Sequence, residues 1–207
     1  MCSAPLLIVG TGNRKKGLEL AELFAPLGIR LATLVDFPEA IEVVENGDTF
    51  AANATLKASQ QAKHLGHWVL ADDSGLMVDA LAGAPGVRSA RYSGPAATDQ
   101  TNNRLLLERL GSLPLEKRAA QFVCHMTLAD PAGVVRTESE ASCRGRILFE
   151  PRGVHGFGYD PLFEVVEYHR TFGELSPEVK AVLSHRGRAM RDLLPVFERL
   201  IATGEWR

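Results

Sequence analysis

The stretch from Asp48 to Gly75, "DTFAANATLKASQQAKHLGHWVLADDSG", decides the fold. Its first part has the composition of a helix, with Asp48 placed to cap it and Gly66 placed to end it just beyond Leu65. "HWVLADDSG" then reads as a buried strand running into a turn, because an apolar run gives way to Asp, Ser and Gly. Upstream, "PLLIV" from Pro5 to Val9 is an apolar run bounded by "GTGN", which predicts another buried strand. A helix follows from about Lys15 to Phe24, with Leu18, Leu23 and Phe24 as its apolar face, and "IRLATLV" predicts the next strand. Strand, helix, strand, helix, strand is the order of an α/β sheet with crossover helices. Downstream the pattern changes. "RAAQFVCHMTLAD" and "GVVRTESEASCRGRILF" are strand-like runs joined by "DPAG", Asp130 to Gly133, which predicts an antiparallel hairpin. After "GFGYDPLF" the chain returns to helix, first a short one from Pro177 capped by Ser176, then a longer one from about His185 capped by Ser184. The expected fold is α/β, a mixed sheet with flanking helices.

At 207 residues the chain is long enough for one sizeable domain with room for two lobes, residues 1–207. Lys and Arg number 23 against 25 Asp and Glu, a formal net charge of −2. There is no general basic field to hold a nucleic-acid polymer, so an anionic ligand must be held locally. The three cysteines, Cys2, Cys124 and Cys143, are odd in number and lack zinc-ligand spacing, which points to a reducing, cytoplasmic setting. The opening residues lack a basic region before a short apolar run, so no signal peptide is expected. No segment approaches the roughly 18 apolar residues of a membrane span.

Four stretches carry potential chemistry. "GTGNRKKG" joins the first strand to the first helix across a Gly-rich turn, where backbone N–H groups favour phosphate, although a plain turn accounts for it equally. It is neither a P-loop nor a complete GxGxxG, since Lys15 stands where the third glycine belongs. Lys16 in a first helical turn opposes the helix dipole, a conflict that a bound anion removes. In the next stretch, Asn53 and Lys57 are four apart and share one helix face, with Glu45 just before it; a solvated face is the ordinary alternative. Asp72 and Asp73 stand at the strand's carboxyl end, where α/β proteins hold cations or activate water, and where turns also collect Asp, Ser and Gly. "GFGYDP" leaves Phe157 between two glycines, a possible base-stacking platform or simply a tight loop. Lys180, His185 and Arg186 add a basic group near a helix start. Together these supply what hydrolysis of a nucleoside triphosphate needs: cations for phosphates, carboxylates for magnesium and water, an aromatic for a base.

"TGNRKK", "ADDSGLMVDAL", "GAPGVRSARYSG", "GFGYDPLF" and "SHRGRA", in that order, closely resemble the inosine triphosphate pyrophosphatase family, whose bacterial members are dITP/XTP pyrophosphatases. The resemblance runs from about Leu7 to the last helix. It implies an elongated mixed α/β fold with two lobes around a central nucleotide cleft, a homodimer, and Mg2+-dependent cleavage of non-standard purine triphosphates (ITP, dITP, XTP) to monophosphate and pyrophosphate. By matched position, Thr11, Gly12, Asn13, Arg14, Lys15 and Lys16 are implied to contact the triphosphate, supported by Asn53 and Lys57. Asp73 is implied as general base and metal ligand, with Asp72 beside it and Ser74 at the substrate. Phe157, Gly158, Tyr159 and Asp160 are implied to form the base pocket with Lys180, His185 and Arg186. The second metal carboxylate falls on Glu45, with Val44 at one alignable position and Glu42 close by. Ala52 departs from the family, which commonly carries Glu there.

Two other readings use some of the same residues. A nucleotide sensor would need the Gly-rich turn and the aromatic platform but no acidic pair. A nicotinamide-dependent dehydrogenase would need the third glycine and a ribose-binding acid that this sequence lacks.

Overall fold

We describe residues 6–24 and 28–206 of a computed structural model of the chain, without the Arg14 side chain. Pro5, the expected start of the first strand, lies outside the described residues. The expected opening order is present as β1 (Leu6–Val9), α1 (Arg14–Phe24), β2 (Arg30–Thr33), α2 (Phe50–Leu65) and β3 (Trp68–Val78). After it come α3 (Asp99–Leu110), β4 (Ala119–Ala129), β5 (Val135–Ile147), β6 (Phe163–Val165), β7 (Arg170–Thr171), α4 (Pro177–Leu183) and α5 (His185–Ala202). The strands form one mixed sheet in the order β2-β1-β3-β4-β5-β6-β7. β1 is parallel to β2 and β3, whereas β6 is antiparallel to β5 and β7. The expected hairpin is made by β4 and β5, closed by Gly133 N–H to the Asp130 carbonyl at 2.8 Å.

The strand order places α1 and α2. The chain leaves β1 for β2 on one side and then returns past β1 to β3 on the other, so right-handed crossovers put α1 and α2 on opposite sheet faces. The packing agrees with this. Ala58 and Ala62 of α2 pack with Ile8, Val69 and Ala71, the odd-numbered face of β3. On the other face Trp68 stacks on Trp206 at 5.1 Å, Trp206 meets Phe197, and Phe197 meets Phe24 of α1. The point where the chain reverses direction across a parallel sheet is where α/β proteins place ligands, beyond the carboxyl ends of the strands.

Several local expectations need correction. The buried stripe of α1 is Leu20 and Phe24, four residues apart, while Leu18 faces solvent at 59% exposure. Lys16 lies four residues before Leu20 and so shares that inward stripe. Burying Leu20 and Phe24 contributes about 1.5–3 kcal/mol each. The cap of α2 is Thr49, whose hydroxyl accepts the Ala52 N–H at 3.1 Å; Asp48 lies one residue too early for its side chain to take that role. β3 does not end at the acidic pair but runs through it to Val78, with β4 as its neighbour on the side away from β1. β1 stops earlier, with Val9 opposite Leu70, so Asp72 and Asp73 project beyond it. α3 was not legible as a helix in our reading, although Thr98 and Thr101 form a capping box at its start.

The chain divides into two compact units. The first comprises residues up to Asp73, His125–Glu140 and those from Ala189 onward; the second comprises Ser74–Cys124 and Ala141–Arg188. Each has its own core: Ile8, Val69, Ala71 and α2 alanines in the first, and Leu76, Leu106, Phe122, Ile147, Phe163 and Phe172 among others in the second. No described helix is long and apolar enough to cross a membrane.

Candidate active site

In the first unit, the acidic pair is answered by two lysines from the two sheet faces. Consecutive strand residues point to opposite faces, and here Asp72 meets Lys16 of α1 at 3.4 Å while Asp73 meets Lys57 of α2 at 2.9 Å. Lys57 reaches this position because Ala54, Ala58 and Ala62 on the same stripe are small enough to let α2 approach the sheet closely. Its ammonium donates to Asp73 Oδ1, to the Asp72 carbonyl at 2.8 Å and to Glu45 Oε2 at 3.3 Å. A solvated helix face is therefore not what Asn53 and Lys57 form. Asn53 is buried, with Nδ2 donating to Asp73 Oδ2 at 3.3 Å and Oδ1 accepting the Gly47 N–H at 2.8 Å. Gly47 permits that approach, since a Cβ there would stand 2.7 Å from Ala52 Cβ and 2.8 Å from Asn53 Oδ1.

Burial holds the Asp73 carboxyl above its ordinary range, with Lys57 pulling in the opposite direction. For Lys57, burial acts downward, yet Asp73, Asp72 and Glu45 together carry its ammonium above the usual lysine range. Both directions describe the same arrangement, a cation held among carboxylates in a poorly solvated place. Glu45 comes from the loop before α2, which Gln61 grips at both the N–H and the carbonyl of Ile41. Sequence reading passed over Gln61, though it sits four residues beyond Lys57 on the same stripe and is buried.

The turn after β1 is ordered by its own side chains. Thr11 Oγ1 accepts the Asn13 N–H at 3.1 Å, and Asn13 Oδ1 accepts the N–H groups of Lys15 and Lys16 at 3.0 and 3.3 Å. Asn13 thus caps α1, Gly12 and Lys15 lie exposed beside it, and the Arg14 side chain lies outside the described residues. Hard oxygen donors from Glu45, Asp73 and Asp72 suit a hard divalent cation. Among the described residues no three His, Cys, Asp or Glu side chains are close enough to form a metal shell by themselves.

In the second unit, the basic and aromatic residues converge. Lys180 pairs with Asp160 at 2.6 Å, and its ammonium stands 4.7 Å from the centre of the Phe157 ring. Asp160 Oδ2 also accepts the Phe157 N–H at 2.7 Å, which fixes the loop that carries the ring. Gly156 has φ 74°, and a Cβ there would stand 2.1 Å from Asp160 Oδ2, so glycine is required. Arg186 is buried, donates to Ser74 Oγ at 2.9 Å and stands 6.0 Å from the Phe157 ring centre. His185 stacks on Phe122 at 4.8 Å. Ser184 ends α4 and, through its Oγ, accepts the Gly187 N–H at 3.1 Å, so one residue sets the start of α5 on which His185 and Arg186 stand. The Tyr159 hydroxyl donates to the Ser89 carbonyl at 2.9 Å, and burial pushes its ionisation upward. Ser89 in turn accepts the Leu76 N–H and donates to the Gly86 carbonyl, tying the "GAPGVRSARYSG" segment to β3.

Comparison with known proteins bears directly on these clusters. A dITP/XTP pyrophosphatase of Rhodopirellula baltica is 54% identical over 195 residues, covering 94% of both chains. Another of Desulforamulus reducens is 48% identical over 194 residues, covering 94% of this chain and 96% of the relative. Among solved structures, a HAM1 protein from Coxiella burnetii superposes with TM-score 0.85 at 38% identity, covering 94% of this chain and 99% of that one. A nucleoside-triphosphatase, dITP/XTP pyrophosphatase, from Mycobacterium abscessus gives TM-score 0.74 at 45% identity over 92% of this chain and 99% of that one. The sequence model of the Ham1 family matches residues 7–196, which takes in both clusters and every strand but the first residue of β1, and the chain belongs to that family.

Proposed function

We propose that this chain hydrolyses ITP, dITP and XTP to the nucleoside monophosphate and pyrophosphate, as a magnesium-dependent cytoplasmic homodimer that clears such nucleotides from the pool. The observation that carries the reading is the acidic pair of β3 answered by Lys16 and Lys57. The relatives named dITP/XTP pyrophosphatase support the substrate class and the homodimer follows from the family resemblance. Cys143, a buried free thiol, suits a reducing compartment.

In this reading Glu45 and Asp73, with Asp72 beside them, hold the magnesium ion. When bound it neutralises charge on the phosphates and on departing pyrophosphate. Lys16 and Lys57 hold the triphosphate oxygens, with Thr11 to Lys16 forming its cradle. Asp73 takes a proton from the attacking water, a task that burial favours by holding its carboxyl above the ordinary range. The water oxygen bonds to the α-phosphorus as the bond to the bridging oxygen breaks, and pyrophosphate leaves with that electron pair. Asn53 steadies Asp73 rather than reaching solvent. Phe157 stacks on the purine, Arg186, His185 and Lys180 present donors to its edge, and Ser74 lies beside Asp73 on β3.

The test is to incubate the protein with ITP and Mg2+ and separate the products. Inosine monophosphate and pyrophosphate are expected, and release should stop with chelator. Diphosphate and inorganic phosphate would place the attack at the wrong phosphorus.

A further inference from the structure

We infer that Asn103 of α3 is a positioning residue for the base loop, and that it sets substrate affinity through Gly158 without touching substrate. The proposal rests on the reading of Phe157 as the purine platform. The segment around Phe157 is irregular in structure, so its geometry depends on a few hydrogen bonds. Two of these are internal to the loop, from Phe157 N–H to Asp160 Oδ2 and from Asp160 N–H to the Phe157 carbonyl at 3.2 Å. Internal bonds shape the loop but cannot fix its place in the second unit. That task falls to ties reaching other elements, and on the residue directly after Phe157 the tie is Asn103 Nδ2, which donates to the Gly158 carbonyl at 3.0 Å.

Its support is rigid. α3 begins at the capping box of Thr98, and the preceding residue, Asn102, is committed to the segment before the helix. Asn102 Oδ1 accepts the Ser93 N–H at 2.8 Å and its Nδ2 donates to the Ser89 and Ala90 carbonyls. Ser89 is also where the Tyr159 hydroxyl lands. The two asparagines therefore hold both segments against one helix, and Gly158 and Tyr159 are fixed from the same side of the sequence.

Asparagine is a poor choice for this position on stability grounds. It has low helix propensity, and Asn103 Oδ1 is buried with no hydrogen-bond partner among the described residues, a costly state for an acceptor. Among the described residues the one hydrogen bond its side chain makes is to Gly158. That imbalance separates a positioning role from a packing role: replacing the amide by an apolar side chain of similar size removes the buried acceptor and improves the helix, yet releases the loop.

The experiment compares Asn103→Leu, Asn103→Ala and Phe157→Ala with the parent protein in Mg2+-dependent pyrophosphate release from ITP, alongside thermal unfolding. Asn103→Leu should keep or raise Tm, raise KM for ITP about five- to tenfold, and leave kcat within about twofold. Asn103→Ala, which also lacks the donor, should show the same KM change despite its different volume. A Tm loss of several degrees in Asn103→Leu, or an unchanged KM in either Asn103 variant while Phe157→Ala raises KM, overturns the role of Asn103 alone. An unchanged KM in Phe157→Ala overturns the base-platform reading and this proposal with it.

Discussion

Asp73 combines a cost to the fold with the catalytic role proposed for it. It is buried, and burial raises its pKa above the value it has in an unfolded chain. A group with a raised folded pKa contributes stability below the unfolded pKa and loses it as pH rises through the folded pKa. At neutral pH the charged carboxylate is thus a burden on the fold. Asp73→Asn keeps the shape and removes the charge, so in metal-free buffer its stability relative to the parent should increase as pH rises above about 4, as followed by thermal unfolding across pH. Lys57 loses one carboxylate in this variant but retains Glu45 and the Asp72 carbonyl. Turnover of ITP should nevertheless fall on the order of 100-fold or more, since a group that acts on the attacking water and the metal is lost; near-parental kcat in folded protein would remove Asp73 from the mechanism. For Lys16→Ala and Lys57→Ala, higher KM, lower kcat or both are expected, because a cation on phosphate follows charge into the transition state. As candidates these residues were legible from the sequence. That Asp72 and Asp73 answer different lysines was not, because it depends on β3 staying extended through the pair.

Elements were legible where their ends carry chemical signals and illegible where only tertiary packing defines them. Ser176 and Ser184 marked α4 and α5 correctly, since cap residues act locally. The length of β3 could not be read, because Asp, Ser and Gly favour a turn until a neighbouring strand imposes pairing. α3 escaped because paired asparagines weaken a helical pattern, and their reason for being there lies in the segments they hold. The inward stripe of α1 was misplaced by choosing Leu18, as three leucines within six residues leave the face ambiguous until one side meets the sheet. Ser184 offers an element-scale test. Ser184→Ala removes the hydroxyl that accepts the Gly187 N–H and should cost about 1 kcal/mol. Since His185 and Arg186 are the first two residues of α5, loosening that turn should also raise KM for ITP, whereas Ser184→Thr should restore both readings. A Ser184→Ala protein with parental Tm and KM would show that the cap neither stabilises α5 nor places Arg186.

At the scale of the whole chain, the residues proposed to meet the phosphates lie in the first unit and those proposed to meet the base in the second. The two sets follow one another along the chain, but the units do not: His125–Glu140 and the residues from Ala189 onward return to the first, and β3 passes from Asp73 in one to Ser74 in the other, none of which the sequence displays. This division allows base choice to be tested apart from phosphate chemistry. The second unit gathers donors, with Lys180, Arg186 and His185 all buried, while Asp160 is already committed to Lys180 and to the Phe157 N–H. Such an array suits an acceptor on the base edge, the 6-oxo oxygen of hypoxanthine or xanthine. Adenine presents an amino donor at the same position, and two donors facing each other away from water are left unsatisfied. ITP should therefore exceed ATP in kcat/KM by on the order of a thousandfold. Arg186→Ala should narrow that ratio by taking away a donor that distinguishes the two edges. Phe157→Ala should weaken both substrates by similar factors, because stacking is tolerant of base identity. Equal loss for ITP and ATP in Arg186→Ala would mean that its guanidinium, bonded to Ser74 Oγ beside Asp73, serves the phosphate end or the fold, and that selectivity arises from another donor in the cluster.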